Sequence, residues 1–172
     1  TNIEDALHFL YPTGFNMSKM IKCSILAATN EQVDTWNKRV QLMNTSETHT
    51  LLSTDKLSQV DDPNSYLENI INDDVLHEYV VNGVPPHDLQ LKRGDICLIM
   101  RNLSKRYGLA TNSRVIILSI SEFCIRVQTV ATPTKTATIP RIRFRFKIPG
   151  GASFEVTRTQ FPLRLAYCMT YN

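Results

Sequence analysis

The sequence is poor in several features, and each shortage excludes a class of function. Its 172 residues include only six glycines, Gly14, Gly83, Gly94, Gly108, Gly150 and Gly151, and none stands in the GxxxxGK[ST] segment that cradles nucleotide phosphates. There is no GxSxG elbow and no HExxH helix, so neither an α/β-hydrolase nucleophile nor a zinc-protease pair is encoded. Cys23, Cys97, Cys124 and Cys168 never come close enough for a CxxC, and His8, His49, His77 and His87 show no metal-ligand spacing with one another or with those cysteines. Spacing therefore predicts no metal site. The cysteines, in or beside apolar runs, read as small buried hydrophobes of a reducing compartment. The longest fully apolar runs, such as ICLIM and VIIL, are too short to cross a bilayer, and the N-terminal residues carry no signal-peptide pattern. A soluble, intracellular protein with no membrane partner is expected.

Acidic residues are scarce in one half only. Residues 1–100 carry 7 Lys and Arg against 14 Asp and Glu, while residues 101–172 carry 12 against 2. A net −7 is thus followed by a net +10. Such asymmetry suggests that the second half meets a polyanion, nucleic acid being the commonest. A basic solvated surface without a ligand has the same count.

The chain opens with an apparent helix, TNIEDALHFL. KCSILAAT, residues 22–29, is a short apolar run that predicts a strand. NEQVDTWNKRVQLM follows, with Val33, Trp36, Val40 and Met43 at helical spacing, and Thr29 with Gln32 three positions later fits a capping box. This βα unit suits an α/β layer. HTLLSTD predicts another strand, and PNSYLENII a short helix with Pro63 in its first turn. From Gly83 the texture becomes β-rich: DLQLK, ICLIMRN, RVIILSI, FCIRVQTV, TATIP, RIRFRFKI and SFEVTRT are short, alternating or β-branched, with Gly150 and Gly151 marking a turn. They predict a small barrel.

In RIRFRFKI, Ile142, Phe144, Phe146 and Ile148 alternate with Arg141, Arg143, Arg145 and Lys147 at the period of a strand. Its cationic face either follows a nucleic-acid backbone or is an ordinary solvated outer face that discourages edge pairing. The stretch GVPPHDLQLKRGDICLIMRNL combines a double-proline turn, a Lys-Arg-Gly-Asp turn and an apolar strand that delivers Arg101 and Asn102 together. A guanidinium suits phosphate because its planar fork binds two oxygens. The same two residues could instead cap the barrel by bonding its loop carbonyls.

ILAATNEQVDTWN, NGVPPHDLQLKRGDICLIMRNL, YGLATNSRVIILSI, IPRIRF and RTQFPLRLAYCMTYN resemble, in order and spacing over residues 22–172, the C-terminal half of Pif-type superfamily 1B DNA helicases, in particular the group carried by Helitron transposons. The resemblance implies an α/β fold: a partial RecA-like domain interrupted by a small SH3-like β-barrel insert. Residues 1–82 would be the first segment of the second RecA-like domain, 83–160 the inserted barrel, and 161–172 the return to the RecA-like domain. The family's phosphate loop and magnesium ligands lie in a first RecA-like domain, so ATP and magnesium are expected of the parent and no cofactor of this chain. The chain then reads as a fragment of an ATP-dependent DNA helicase, whose partners are single-stranded DNA and the missing first RecA-like domain of the same parent. A nuclear location is expected, and a non-catalytic nucleic-acid or protein interaction module derived from a helicase is the alternative. Candidate DNA contacts are Asn30, His87, Arg101, Asn102, Asn112, Arg114, Arg143, Thr170 and Asn172.

Three positions depart from the family pattern. Cys23 stands where an arginine is usual, Thr111-Asn112-Ser113-Arg114 stands for Asn-Gly-Thr-Arg, and Tyr171 replaces an isoleucine. The second removes a glycine from a tight turn.

Overall fold

The structure, a computed structural model, describes residues 3–12, 14–59, 73–131, 133–147 and 154–171. Two short helices, α1 (Ile3–Leu10) and α2 (Met17–Lys22), precede strand β1 (Ile25–Ala27) and helix α3 (Asn30–Leu42). The predicted cap of α3 is present. Thr29 accepts from the Gln32 N–H at 3.3 Å, and the Gln32 side chain returns to accept from the Ala28 N–H at 3.2 Å. Val33 and Val40 are buried on the inner face of α3, as their spacing requires. The strand predicted over residues 22–29 is shorter than expected, because Lys22 ends α2 and Cys23 caps it by donating its N–H to the Lys19 carbonyl.

β1 pairs in parallel with β12 (Cys168–Thr170), so two segments at opposite ends of the sequence complete one layer under α3. Asn37 locks that closure. Its amide nitrogen donates to the carbonyls of Leu165 and Cys168, and its oxygen accepts from the N–H groups of Tyr167 and Cys168, all within 3.2 Å. A parallel pair needs a long connection between its strands, and here the connection is the whole β-rich segment.

HTLLSTD forms two strands, β2 (Thr48–Leu52) and β3 (Thr54–Gln59). The predicted PNSYLENII helix and the turn at Gly150 and Gly151 lie outside the described residues. A short helix, α4 (Asp73–Glu78), follows, and then β4 (Asp88–Lys92), β5 (Ile96–Ile99), β6 (Arg114–Ile120), β7 (Cys124–Thr129), β8 (Thr136–Pro140), β9 (Ile142–Lys147), β10 (Phe154–Gln160) and β11 (Leu163–Leu165). Among the described residues the strands close no barrel. The strands form open sheets, β11-β5-β6-β7-β8, β3-β10-β9 and β2-β4, beside the parallel pair. β2 and β3, from before Gly83, take up hydrogen-bonding edges of β4 and β10, while β8 and β11 are edges of the five-stranded sheet among the described residues. The molecule is therefore mixed α/β and sheet-rich.

The main core lies on the five-stranded sheet, where Leu91, Cys97, Ile99, Val115, Ile125, Val127, Ile139, Phe161 and Leu163 are fully buried. Each such large aliphatic or aromatic side chain stabilises the fold by roughly 1.5–3 kcal/mol. A second cluster joins α1, α2 and α3 to the sheet through Met20, Val40, Ile96 and Tyr167. The Lys-Arg-Gly-Asp turn fastens these two parts. Gly94 adopts a φ of +86°, and a Cβ there would come within 3.2 Å of the Met17 side chain. That turn buries Asp95, which accepts from Gln41, Asn44, the Lys92 N–H and Tyr167. Among the described residues, no helix is long and apolar enough to cross a membrane.

The reading of all four cysteines as buried is corrected as well. Cys97 and Cys168 are buried, but Cys124 is half-buried and Cys23 is exposed. Cys23 is exposed because it is the C-cap of α2, in the short connection before β1 and not in the core strand.

Candidate nucleic-acid interface

The predicted contacts fall into separate places. Arg101 and Asn102 leave β5 in an exposed loop, and the Asn102 side-chain oxygen Oδ1 accepts from the Thr111 N–H at 2.9 Å and from its hydroxyl at 3.2 Å. The loops bearing Arg101, Asn102 and Asn112 are thus tied side by side. Asn112 has a φ of +66°, the left-handed region that asparagine tolerates better than most residues. An asparagine consequently holds a turn conformation that favours glycine.

Arg101 is exposed, and its guanidinium carbon lies 5.4 Å from the centroid of the Phe144 ring. This places it against β9. There the predicted alternation is realised: Phe144 and Phe146 are buried, while Arg143, Arg145 and Lys147 are exposed along the outer face. Ile148 lies outside the described residues. Arg141 is used by the fold itself, donating to the carbonyls of Leu52 and Glu122 and to the Gln160 side chain, with its guanidinium 4.6 Å from the Phe161 centroid.

Arg114 turns inward. Its terminal nitrogens donate to the carbonyls of Met20, Ile21, Cys23 and Ala166 at 2.8–3.4 Å, and its Nε is buried without a partner. Burial lowers its pKa from the ordinary arginine value, offset in part by Tyr11 and Cys23. These bonds cap the C-terminal carbonyls of α2, where a cation is favoured, and occupy the donors that a phosphate would need.

Asn30 and Thr170 lie together at one end of the parallel pair, because Ala27 is in register with Thr170 and the Tyr171 N–H donates to the Ala27 carbonyl. Both side chains are exposed, and Asn30 accepts from Arg164 at 3.5 Å. Arg164 also pairs with Asp34 at 2.8 Å. The last predicted contact, Asn172, lies outside the described residues. Beside this end runs a groove of about 550 Å³ between α3, the Val80–Pro86 loop and β11, with Lys38, Asp88 and Arg164 on its walls.

His87 belongs to none of these groups. It sits behind the double-proline turn, stacked on His77 with ring centroids 3.5 Å apart and bonded to Ser53. Burial, the neighbouring His77 and the Arg158 charge hold its pKa below the usual histidine value against the pull of Asp55 and Asp88. Sequence reasoning missed the partner of this cluster, Arg158. It is fully buried and grips both carboxylate oxygens of Asp55, with Nη2 to Oδ2 at 2.7 Å. Burial pushes the Asp55 pKa up, but the bonds from Arg158 and Ser53 and the Arg158 charge outweigh it and hold the carboxyl below its ordinary value. The signal was the strand period: Arg158 stands on the same face of β10 as Val156, so a charge was being sent into a core.

Three comparisons bear on this arrangement. The family model described as "DNA helicase Pif1, 2B domain" matches residues 75–120. No curated protein matches the chain. Among solved structures, the Pif1 helicase from Candida albicans has a TM-score of 0.61 at 16% identity, with 98% of this chain and 43% of that one covered. Bacteroides Pif1 bound to ssDNA has a TM-score of 0.56 at 15% identity, covering 87% and 31%. Unliganded Pif1 from Bacteroides sp. has a TM-score of 0.57 at 18% identity, covering 92% and 46%. This chain spans less than half the length of each of these structures. The chain thus shares its fold with Pif1 helicases over most of its length, and the 2B-domain model matches within that shared part.

Proposed function

We propose that the chain is the single-strand-engaging part of a Pif1-type DNA helicase, with residues 1–82 and 161–172 as RecA-like segments and 83–160 as an SH3-like insert. The observation that carries the reading is the exposed cationic row Arg143, Arg145 and Lys147 on β9. Alternate residues of a strand stand roughly 6–7 Å apart on one face, so the three cations form one continuous row, and neutralising phosphates is what such a row can do. The likeness to a Bacteroides Pif1 bound to ssDNA supports the same partner here. ATP and magnesium would act in the parent, whose relatives include a Bacteroides sp. Pif1 in complex with ADP-AlF4.

Binding of a labelled single strand, followed by anisotropy across a salt series, tests this reading. Log affinity should fall with log salt by about 0.7 per phosphate contacted. Arg101→Ala, Arg143→Ala and Arg145→Ala should each lower that slope by about one contact, with little dependence on sequence. A slope unchanged when all three are replaced together defeats the proposal.

A further inference from the structure

His77 and His87 are brought together with Asp55 although no spacing in the sequence links them. One ligand-bearing atom from each of the three lies within 4.8 Å of the other two, and all three residues are half-buried. The two imidazoles stack with their planes 16° apart. The hydrogen bonds around them are ordered. Ser53 has a single hydroxyl proton, and it is committed to Asp55 Oδ1 at 2.7 Å. Nδ1 of His87, 2.9 Å from the same hydroxyl oxygen, must therefore be the donor in that contact. The lone pair of His87 is left on Nε2. A histidine that donates one ring N–H to a neighbour and keeps the other nitrogen as a lone pair is arranged as metal-bound histidines are.

The carboxylate is supported in the same manner. Arg158 holds both Asp55 oxygens, which fixes its orientation and cancels its charge within the site. A cation would meet two imidazoles and one oxygen in locally neutral surroundings. Nitrogen ligands of this kind suit zinc-class transition ions, whereas magnesium and calcium prefer sets made of oxygen. Parallel rings cannot aim both lone pairs at one ion, so one ring must turn. The ring of His77, on α4, makes no hydrogen bond among the described residues and can turn without losing one.

We propose that Asp55, His77 and His87 form a binding site for a divalent transition metal of the zinc class. The ion would join β3, α4 and the strand entry at His87, three segments otherwise linked by the Arg158 bonds to Asp55, Leu76, Tyr79 and Pro85. Metal that binds only the folded chain raises its stability by mass action.

Zinc titration of the whole chain by calorimetry, with thermal melts in zinc, in magnesium and in EDTA, tests the site. One zinc ion per chain should bind saturably and raise the melting midpoint, magnesium should leave the midpoint at its EDTA value, and Ser53→Ala should weaken zinc binding roughly tenfold. His77→Ala and His87→Ala should abolish binding, and Cys23→Ser should keep it. His77→Ala removes no hydrogen bond, so an unchanged midpoint in EDTA separates loss of the site from loss of the fold. Absence of saturable zinc binding, or binding that survives both histidine substitutions, overturns the proposal.

Discussion

The Tyr167 hydroxyl donates to Oδ1 of Asp95 at 2.9 Å, and both residues are fully buried. This one contact ties the closing segment of the α/β layer to the turn that starts the five-stranded sheet. Gln41 and Asn44, at the end of α3, donate to the same carboxylate. Each neighbour is a donor, so the site is built around an acceptor.

Asp95→Asn should therefore be costly. It puts an amide N–H₂ against donors, and stability should fall by roughly 1–3 kcal/mol for each donor left unmatched. Tyr167→Phe removes one donor and should cost less. Burial raises the Asp95 pKa above the usual carboxylate value, and the four donors offset only part of the rise. A raised folded value means that the native chain takes up a proton at a pH where the unfolded chain is still ionised. Stability from this group accordingly grows as pH falls through the folded value and is complete below the unfolded value near 3.9. Urea midpoints from pH 7 to 4 should show the gap between the parent chain and Asp95→Asn widening as pH falls; a constant gap would contradict it.

Arg114 and Arg101 should behave oppositely on substitution. Arg114→Ala strips donors from three carbonyls at the end of α2 and from that of Ala166, and should lower stability by roughly 1–3 kcal/mol. Its DNA salt slope should equal that of the unaltered chain. Arg101→Ala, on an exposed side chain, should leave the melting midpoint nearly unchanged. A reduced salt slope for Arg114→Ala would show that its guanidinium leaves the carbonyls to meet phosphate.

What the sequence made legible was local. The α3 cap and helical spacing, and the alternation on β9, are set by residues three or two positions apart, and both are present as read. Contacts between distant segments were not legible. Nothing near Asp55 announces that Arg158 will reach it, and nothing in HTLLSTD tells that β2 and β3 will pair with β4 and β10. Those pairings give open sheets where a small barrel was expected. The same limit hid the His77, His87 and Asp55 cluster, whose members lie on three different elements. The Arg114 bonds were invisible for another reason: a cationic side chain at a strand start has the same pattern whether it points to solvent or to a helix end.

Cysteine reactivity should split by position. Cys23 is exposed, whereas Cys97 is fully buried and its thiol is pushed far up by burial and by Asp95. Burial raises Cys168 as well. A thiol reagent on the native chain should modify Cys23 first, Cys124 more slowly, and Cys97 and Cys168 only on unfolding. Peptide mapping by mass spectrometry reads the order, and early modification of Cys97 would contradict the packing of the main core.

Asn112 gives the sharpest test of backbone strain. At a φ of +66° its side chain is exposed and its N–H donates to the Ile99 carbonyl at 2.8 Å, so the turn, not a side-chain contact, fixes its conformation. Glycine adopts this region without a Cβ penalty, whereas a residue such as alanine pays about 1–2 kcal/mol. Asn112→Gly should keep or slightly raise the melting midpoint, and Asn112→Ala should lower it. Both should keep the Asn102 to Thr111 bonds, which involve neither Asn112 atom. If Asn112 instead contributes its amide to a DNA phosphate, the glycine variant will bind single strands more weakly while melting no lower. Measuring both properties on the two variants separates turn geometry from ligand contact, because alanine loses both and glycine loses only the amide.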